Sequence, residues 1–108
     1  SNWSFVKRKI IGKMNFTLIK SSGGTTYVLN SHLSICILND NKLFYIYYKI
    51  KENLFAKSYF LKEEFLKNKI HSCDMSISNC NGHIFDFLKV NPEITNQIRK
   101  ILKYHDIL

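Results

Sequence analysis

Proline and glycine are scarce in this chain of 108 residues, which has one proline and four glycines. Disordered segments lack large apolar side chains, whereas this sequence is 45% hydrophobic and 14% aromatic. The length lies in the range over which a single hydrophobic core forms. We therefore predict one folded domain over residues 1–108.

Long apolar runs are also lacking. No stretch approaches the roughly 18 apolar residues that cross a bilayer, and residues 1–9 do not contain the apolar region of a signal peptide. We interpret Ser1 and Asn2 as the remnant of a cleaved tag on a domain that belongs to a larger chain or complex. The three cysteines are odd in number, which argues against a disulfide-stapled secreted module and predicts an intracellular, reducing environment.

Acidic residues are few. Eight Asp plus Glu stand against sixteen Lys plus Arg, for a formal net charge of +8. Such an excess attracts phosphates, acidic peptides or anionic lipids. Lysine outnumbers arginine fourteen to two, which the codon bias of an AT-rich genome also produces. A functional charge and a genomic bias are both open interpretations of the composition.

Four stretches of the first half of the chain have the pattern of β-strands. Residues 14–19, 26–29 and 33–37 are extended segments, with the alternation of apolar and polar side chains that a strand with one buried face requires. Residues 21–24 form a hairpin turn between the first two. Residues 42–50 contain an uninterrupted run of bulky side chains, which predicts a strand at the centre of the sheet.

The second half is less uniform. Residues 54–69 fit both a strand and a short helix, and we predict a strand that runs into an irregular or one-turn segment. Residues 73–77 alternate again, residues 79–82 resemble a turn, and residues 84–88 are apolar, which together predict a second hairpin.

The end of the chain carries the clearest helix signal. Asn91 can cap a helix, Pro92 fits the first helical position, and Glu93 places negative charge near the positive end of the helix dipole. A stripe of apolar residues follows at helical spacing: Ile94, Ile98, Ile101 and Leu102. We predict an amphipathic helix from Pro92 to about Tyr104.

These elements define a mostly β fold with one C-terminal helix. Six or seven short strands without intervening helices exclude a parallel sheet, because parallel strands need crossover connections. The expected architecture is an antiparallel curved sheet or two-sheet barrel that the helix caps.

One cluster has the residue types of a metal site: His71, Cys73, Cys80 and His83. The spacing, His-x-Cys and Cys-x-x-His around six residues, differs from that of known zinc sites, so the cluster is a weak candidate and we predict no cofactor. His71, Cys73 and Asp74 also supply the residue types of a catalytic triad. On a strand, however, Asp74 points away from the other two, and we predict no enzyme activity.

The basic residues form two groups. The first group is Lys7, Arg8, Lys9 and Lys13, and the second group is Lys57, Lys62, Lys67 and Lys69. Either can bind phosphates or carboxylates, although a charge run is usually a solvated face. Lysines are also interleaved with aromatic residues, as on single-strand nucleic-acid platforms: Tyr45, Tyr47, Tyr59 and Phe60. Strand aromatics more often lie in the core.

Strands followed by one amphipathic helix resemble the pleckstrin-homology superfold over most of the chain. Residues 24–35, Gly-Thr-Thr-Tyr-Val-Leu-Asn-Ser-His-Leu-Ser-Ile, are similar to a strand-turn-strand signature of the domain that opens the large core subunit of general transcription and repair factor H. Thr26, His32 and Ile35 stand where that family prefers leucine, arginine and tryptophan. Residues 84–87 and the helix after them are similar to the family's final strand and helix.

The resemblance implies a nuclear domain that binds acidic, disordered segments of transcription activators and DNA repair proteins. We expect the second basic group to be the contact surface because of its positive charge. The alternative is a module at the cytoplasmic membrane surface, in which the first basic group holds phosphoinositide head groups. Nucleic-acid binding ranks third and would be blind to sequence.

Overall fold

The computed structural model describes residues 3–74 and 81–108, with side chains from His83 onward in the second range. Over these residues the chain forms seven strands and three helices. They are β1 (Ser4–Ile11), β2 (Met14–Ser21), β3 (Gly24–Asn30), β4 (Leu33–Leu38), β5 (Leu43–Lys51), β6 (Leu54–Leu61), α1 (Lys62–Leu66), β7 (Ser72–Asp74), α2 (Asn81–Val90) and α3 (Pro92–Tyr104).

The strands form one open antiparallel sheet, and their spatial order follows the chain from β1 to β7. The predicted mostly β fold with a helix at its end is confirmed at this level. Strands β2 to β5 lie where the alternation predicted them, and β6 runs into the short helix α1 as expected. The sequence reasoning missed β1.

The predicted second hairpin is wrong. Residues 84–88 lie inside helix α2 and not in a strand. Residues 75–80, which include the rest of the expected first strand after Asp74 and part of the turn, are outside the described residues. Ile84 and Leu88 are buried and four positions apart. That spacing places two side chains on one face of a strand and also on one face of a helix, so it does not distinguish the two. The chain therefore has more than one helix at its C-terminal end.

Helix α3 spans the predicted residues, but its start differs from the prediction. The Asn91 side chain makes no capping bond to α3. Its Nδ2 instead donates to the Phe87 carbonyl at 2.8 Å, and Thr95 Oγ1 donates to the Leu88 carbonyl at 2.9 Å. These bonds satisfy carbonyls at the end of α2 and stabilise the one-residue junction between the two helices.

The core lies between the helices and one face of the sheet, which we call the inner face. Cross-strand pairing aligns one row of buried side chains from β2 to β6: Leu18, Tyr27, Ile35, Ile46 and Ser58. Phe65 of α1 packs edge-on against Phe44 and Phe60. Ile98, Ile101 and Leu102 of α3 are completely buried in the same core, so the apolar stripe of the helix is used as predicted.

A partly buried polar contact ties the end of α3 to the sheet. Tyr27 Oη lies 2.6 Å from Nε2 of His105, the residue after α3. Burial, with a smaller contribution from Tyr104, raises the pKa of Tyr27 to about 12. Burial lowers the pKa of His105, and the charges of Lys20 and Lys9 lower it further, against an opposing effect of Asp106. Both groups are therefore uncharged at neutral pH.

None of the helices among the described residues is long and apolar enough to cross a membrane.

Two adjacent glycines provide a matched test of how closely β3 approaches β4. A Cβ atom at Gly24 would overlap the Ile37 carbonyl oxygen on the neighbouring strand, whereas a Cβ at Gly23 would meet no atom within 4 Å. We expect Gly24→Ala to lower the free energy of unfolding by about 1–3 kcal/mol and Gly23→Ala to change it by less than about 0.5 kcal/mol. Urea unfolding of both variants measures this, and equal effects would contradict the close approach of β3 to β4.

Acidification is expected to destabilise the fold through His105. The unfolded histidine has a pKa of about 6.5 and takes up a proton more readily than the folded one, whose pKa is lowered. The stability that His105 contributes is complete above the unfolded pKa and is lost as pH falls through the folded pKa. Between about pH 7.5 and about pH 5.5, the melting temperature should fall more for wild type than for His105→Gln. Lys20→Gln should give an intermediate fall, and an unchanged fall in His105→Gln would refute this origin.

Candidate interaction surface

The face of the sheet opposite the helices carries an aromatic and basic surface. Because side chains alternate along a strand, Phe44, Ile46 and Tyr48 of β5 point into the core while Tyr45 and Tyr47 point outward. Pairing with β6 brings together five outward side chains, which we call the aromatic strip: Tyr45, Tyr47, Phe55, Lys57 and Tyr59.

The rings of the aromatic strip contact one another in pairs. Tyr47 and Phe55 stack with centroids 5.3 Å apart and planes 7° from parallel, and Phe55 is 40% exposed. Tyr45 and Tyr59 lie 5.2 Å apart at a 52° tilt. Lys57 Nζ lies 5.0 Å from the centroid of the Tyr45 ring, a distance at which the ammonium is attracted to the ring face. The strip therefore combines apolar ring surface with one positioned cation.

Residues beside Tyr45 on the same face of the sheet affect its hydroxyl group. Burial raises the pKa of Tyr45, and the neighbouring Cys36 and Tyr59 raise it further. Cys36, a buried free thiol, pairs across from Tyr45 on β4, and Thr26 of β3 is the next residue in the same cross-strand row. The hydroxyl stays protonated at neutral pH, so Tyr45 offers a fixed ring and no charge.

Acidic side chains near the strip are partly engaged elsewhere. Lys49, which pairs across from Phe55, binds Glu52 at 2.9 Å. Asp74 lies opposite Lys57 in the β6–β7 pairing. Lys57 is thus the central cation of the strip, with one carboxylate beside it.

The structure separates the second basic group. Lys57 lies on the aromatic strip, whereas Lys62 begins α1, and Lys67 and Lys69 follow it, all three exposed. Glu64 of α1 lies among them and pairs with His71 Nδ1 at 2.7 Å. Of the four predicted contact residues, Lys57 alone is next to an aromatic partner in the described structure. Phe60, proposed with the other aromatics, is completely buried in the core.

The first basic group is also divided. Lys7 and Lys9 pair with Leu18 and Phe16 and so share the inner face, Arg8 pairs with Thr17 on the outer face, and Lys13 lies in the turn after β1. Lys9 Nζ lies 4.5 Å from the centroid of the Tyr104 ring. Arg8 donates to Thr17 Oγ1 at 2.9 Å. The four residues do not converge on one loop pocket.

Tertiary contacts add two cations that sequence reasoning missed. Lys20 of β2 acts together with Lys9 on His105, and the Lys100 ammonium of α3 lies beside Gly12 in the β1–β2 turn. Lys20 comes near β1 through the β1–β2 pairing, in which it lies opposite Phe5, whereas Lys100 is distant from the first group in sequence. The positive charge around β1 is therefore larger than the sequence indicates.

The histidine and cysteine cluster does not assemble in the described part of the chain. Cys73 is disulfide-bonded, which removes its thiolate from both the zinc and the nucleophile hypotheses. His71 contacts Glu64, His83 is exposed on α2, and Cys80 lies outside the described residues. The odd cysteine count was thus a wrong argument against a disulfide, and the predicted reducing environment loses that support.

A cleft of about 420 Å³ lies between the helices. Its lining combines apolar side chains with one acidic and two basic residues: Phe65, Leu66, Phe85, Leu88, Asp86, Lys89 and Arg99, with Asn68 and Thr95. The two ammonium groups that lie over aromatic rings in the described residues, those of Lys9 and Lys57, are both outside this cleft. The aromatic strip, where Lys57 lies over the Tyr45 ring, is therefore the candidate site that we consider for a negatively charged partner.

Comparisons of this chain with models of protein families, with curated proteins and with solved structures find no match. The pleckstrin-homology topology and the family signature of residues 24–35 accordingly stay predictions, and the function must be argued from the surface itself.

Proposed function

We propose that this chain is a non-catalytic binding module whose aromatic strip holds an acidic, disordered protein segment. The observation that carries the proposal is the position of Lys57 Nζ over the Tyr45 ring, at the centre of a partly exposed aromatic surface. An acidic side chain of the partner would pair with Lys57, and the formal charge of +8 would steer the approach.

The partly exposed rings give the partner's aromatic residue a place to pack. Tyr47 and Phe55 already stack, so their positions cost little additional conformational entropy on binding. The strip is built on two central strands of the sheet and not on a loop. This rigidity favours recognition of a segment that is itself unstructured before binding.

The family resemblance adds a biological context to this proposal. It favours acidic segments of transcription activators and DNA repair proteins in the nucleus as partners. Phosphoinositide binding, the alternative, needs basic residues that converge beside a loop. Lys7 and Arg8 point to opposite faces of β1, so the geometry favours the peptide.

Substitutions on the aromatic strip should weaken the binding of an acidic peptide. The probe is a fluorescein-labelled peptide of aspartate and glutamate with one central phenylalanine, followed by fluorescence anisotropy at physiological salt. We expect Lys57→Gln to weaken binding about fivefold, because one charge pair at the surface is lost. Phe55→Leu keeps apolar volume but removes the ring. It should weaken binding of the phenylalanine peptide and leave binding of the same peptide with alanine in place of phenylalanine unchanged.

Lys89→Gln on the exposed surface of α2 is the charge-matched control and should bind like wild type. Amide shifts that cluster on β5 and β6 would support the strip. Equal weakening by Lys57→Gln and Lys89→Gln would reduce the effect to net charge and overturn the proposal. Tighter binding to a single-stranded oligouridine, or cosedimentation with phosphoinositide vesicles, through the same residues would replace the peptide with that partner.

A further inference from the structure

Strand β1 is a long unpaired edge of the sheet. Among the described residues it pairs with β2 and with no other strand, over eight residues. The backbone groups on its far side have no strand partner in this sheet. An edge of this length is a template for another strand unless side chains block it.

The side chains of β1 are the most exposed of any long strand in the sheet. Val6 is 66% exposed and Ile10 is 68% exposed, both on the outer face. Trp3 and Phe5 are also about half exposed, and their rings stack with centroids 5.6 Å apart. Branched apolar residues on a strand gain packing when a neighbouring strand covers them.

Between the apolar positions the edge is strongly basic. Lys7, Arg8 and Lys9 are consecutive, so positive charge lies on both faces of the strand. Lys100 and Lys20 add to it through tertiary contacts, and Asp106 is the acidic residue that acts on the same region near His105. The edge therefore favours a partner strand with negative charge.

This charge also disfavours a second copy of the chain. Antiparallel pairing of two β1 strands about Arg8 would place Lys7, Arg8 and Lys9 of one copy opposite the same three residues of the other. Like charges directly opposite each other destabilise strand pairs. The basic residues thus act against self-association and leave the edge open to a different, acidic strand.

We propose that β1 adds an acidic strand of a partner protein to the sheet. The strand would carry consecutive acidic residues opposite Lys7, Arg8 and Lys9, with β-branched apolar residues opposite Val6 and Ile10. Main-chain hydrogen bonds would supply affinity and the flanking side chains the register. This inference goes beyond the proposed function, because β1 is four strand spacings, about 19 Å along the sheet, from β5 and the aromatic strip.

The test uses a fluorescein-labelled peptide with the core Val-Glu-Asp-Glu-Val between threonines, and no aromatic residue apart from the dye. Its matched control is the same peptide with N-methyl groups on alternate backbone amides, which keeps every charge but prevents ladder bonds. We expect the methylated peptide to bind about tenfold more weakly, and the amides of β1 to gain protection from hydrogen exchange with the parent peptide. Equal binding of the two peptides overturns strand addition.

Charge exchange tests the register. Lys7→Glu combined with Arg8→Glu should abolish binding of the acidic peptide and create binding of its lysine counterpart. Lys89→Glu combined with Arg99→Glu makes an equal change of net charge on the helices. This double variant should still bind the acidic peptide, with a smaller loss of affinity. Val6→Thr combined with Ile10→Thr retains strand propensity and should weaken binding of the acidic peptide about fivefold.

The outcomes separate this inference from the proposed function. Lys57→Gln should leave the difference in affinity between the parent and the N-methylated peptide unchanged, since the substitution alters the aromatic strip and not strand β1. If the peptide's amide shifts fall on β5 and β6 and β1 gains no protection, the edge is not a binding site. Sedimentation of the chain alone should give a monomer. A concentration-dependent dimer in which the amides of β1 gain protection from hydrogen exchange would make a second copy the occupant and overturn the inference.

Discussion

The packing of the helices on one face of the sheet is the constraint on which the other features depend. The row from Leu18 through Ile46 to Ser58 is buried because α1, α2 and α3 cover it. Since strand side chains alternate, this burial sends Tyr45, Tyr47 and Lys57 to the opposite face. The aromatic strip is thus a geometric consequence of the core, and a register shift of one residue would exchange the two surfaces.

The open sheet explains why binding surfaces occur at two separate places. Central strands β5 and β6 have both neighbours, so their exposed face offers side chains alone. Strand β1 has one neighbour, so it also offers backbone groups. Positive charge occurs at both, as Lys57 over Tyr45 and as the basic run of β1. Charge thus gives both surfaces a preference for anions, while ring contacts at one and backbone pairing at the other distinguish the partners that fit.

Much of the fold could be predicted from local pattern. Strands β2 to β5 and helix α3 have clear periodicity, and burial of alternate or stripe positions is what creates that periodicity. Strand β1 was missed because, as an exposed edge, it has little burial to impose a pattern. Helix α2 was assigned to a strand because Ile84 and Leu88 satisfy both periods. Asn91 has the residue type of a cap, but its bond to Phe87 depends on a second helix ending beside it.

The sequence by itself determined the mostly β composition, the final amphipathic helix, the excess of positive charge and the residue types of the strip, since these follow from local spacing and counting. Tertiary structure decided which residues meet. It separated Lys57 from Lys62, Lys67 and Lys69, divided Lys7 and Arg8 between two faces, and brought Lys20 and Lys100 towards β1. Those outcomes depend on strand pairing and helix placement, because contacts between distant residues are set by the packing of the whole core and not by any local pattern.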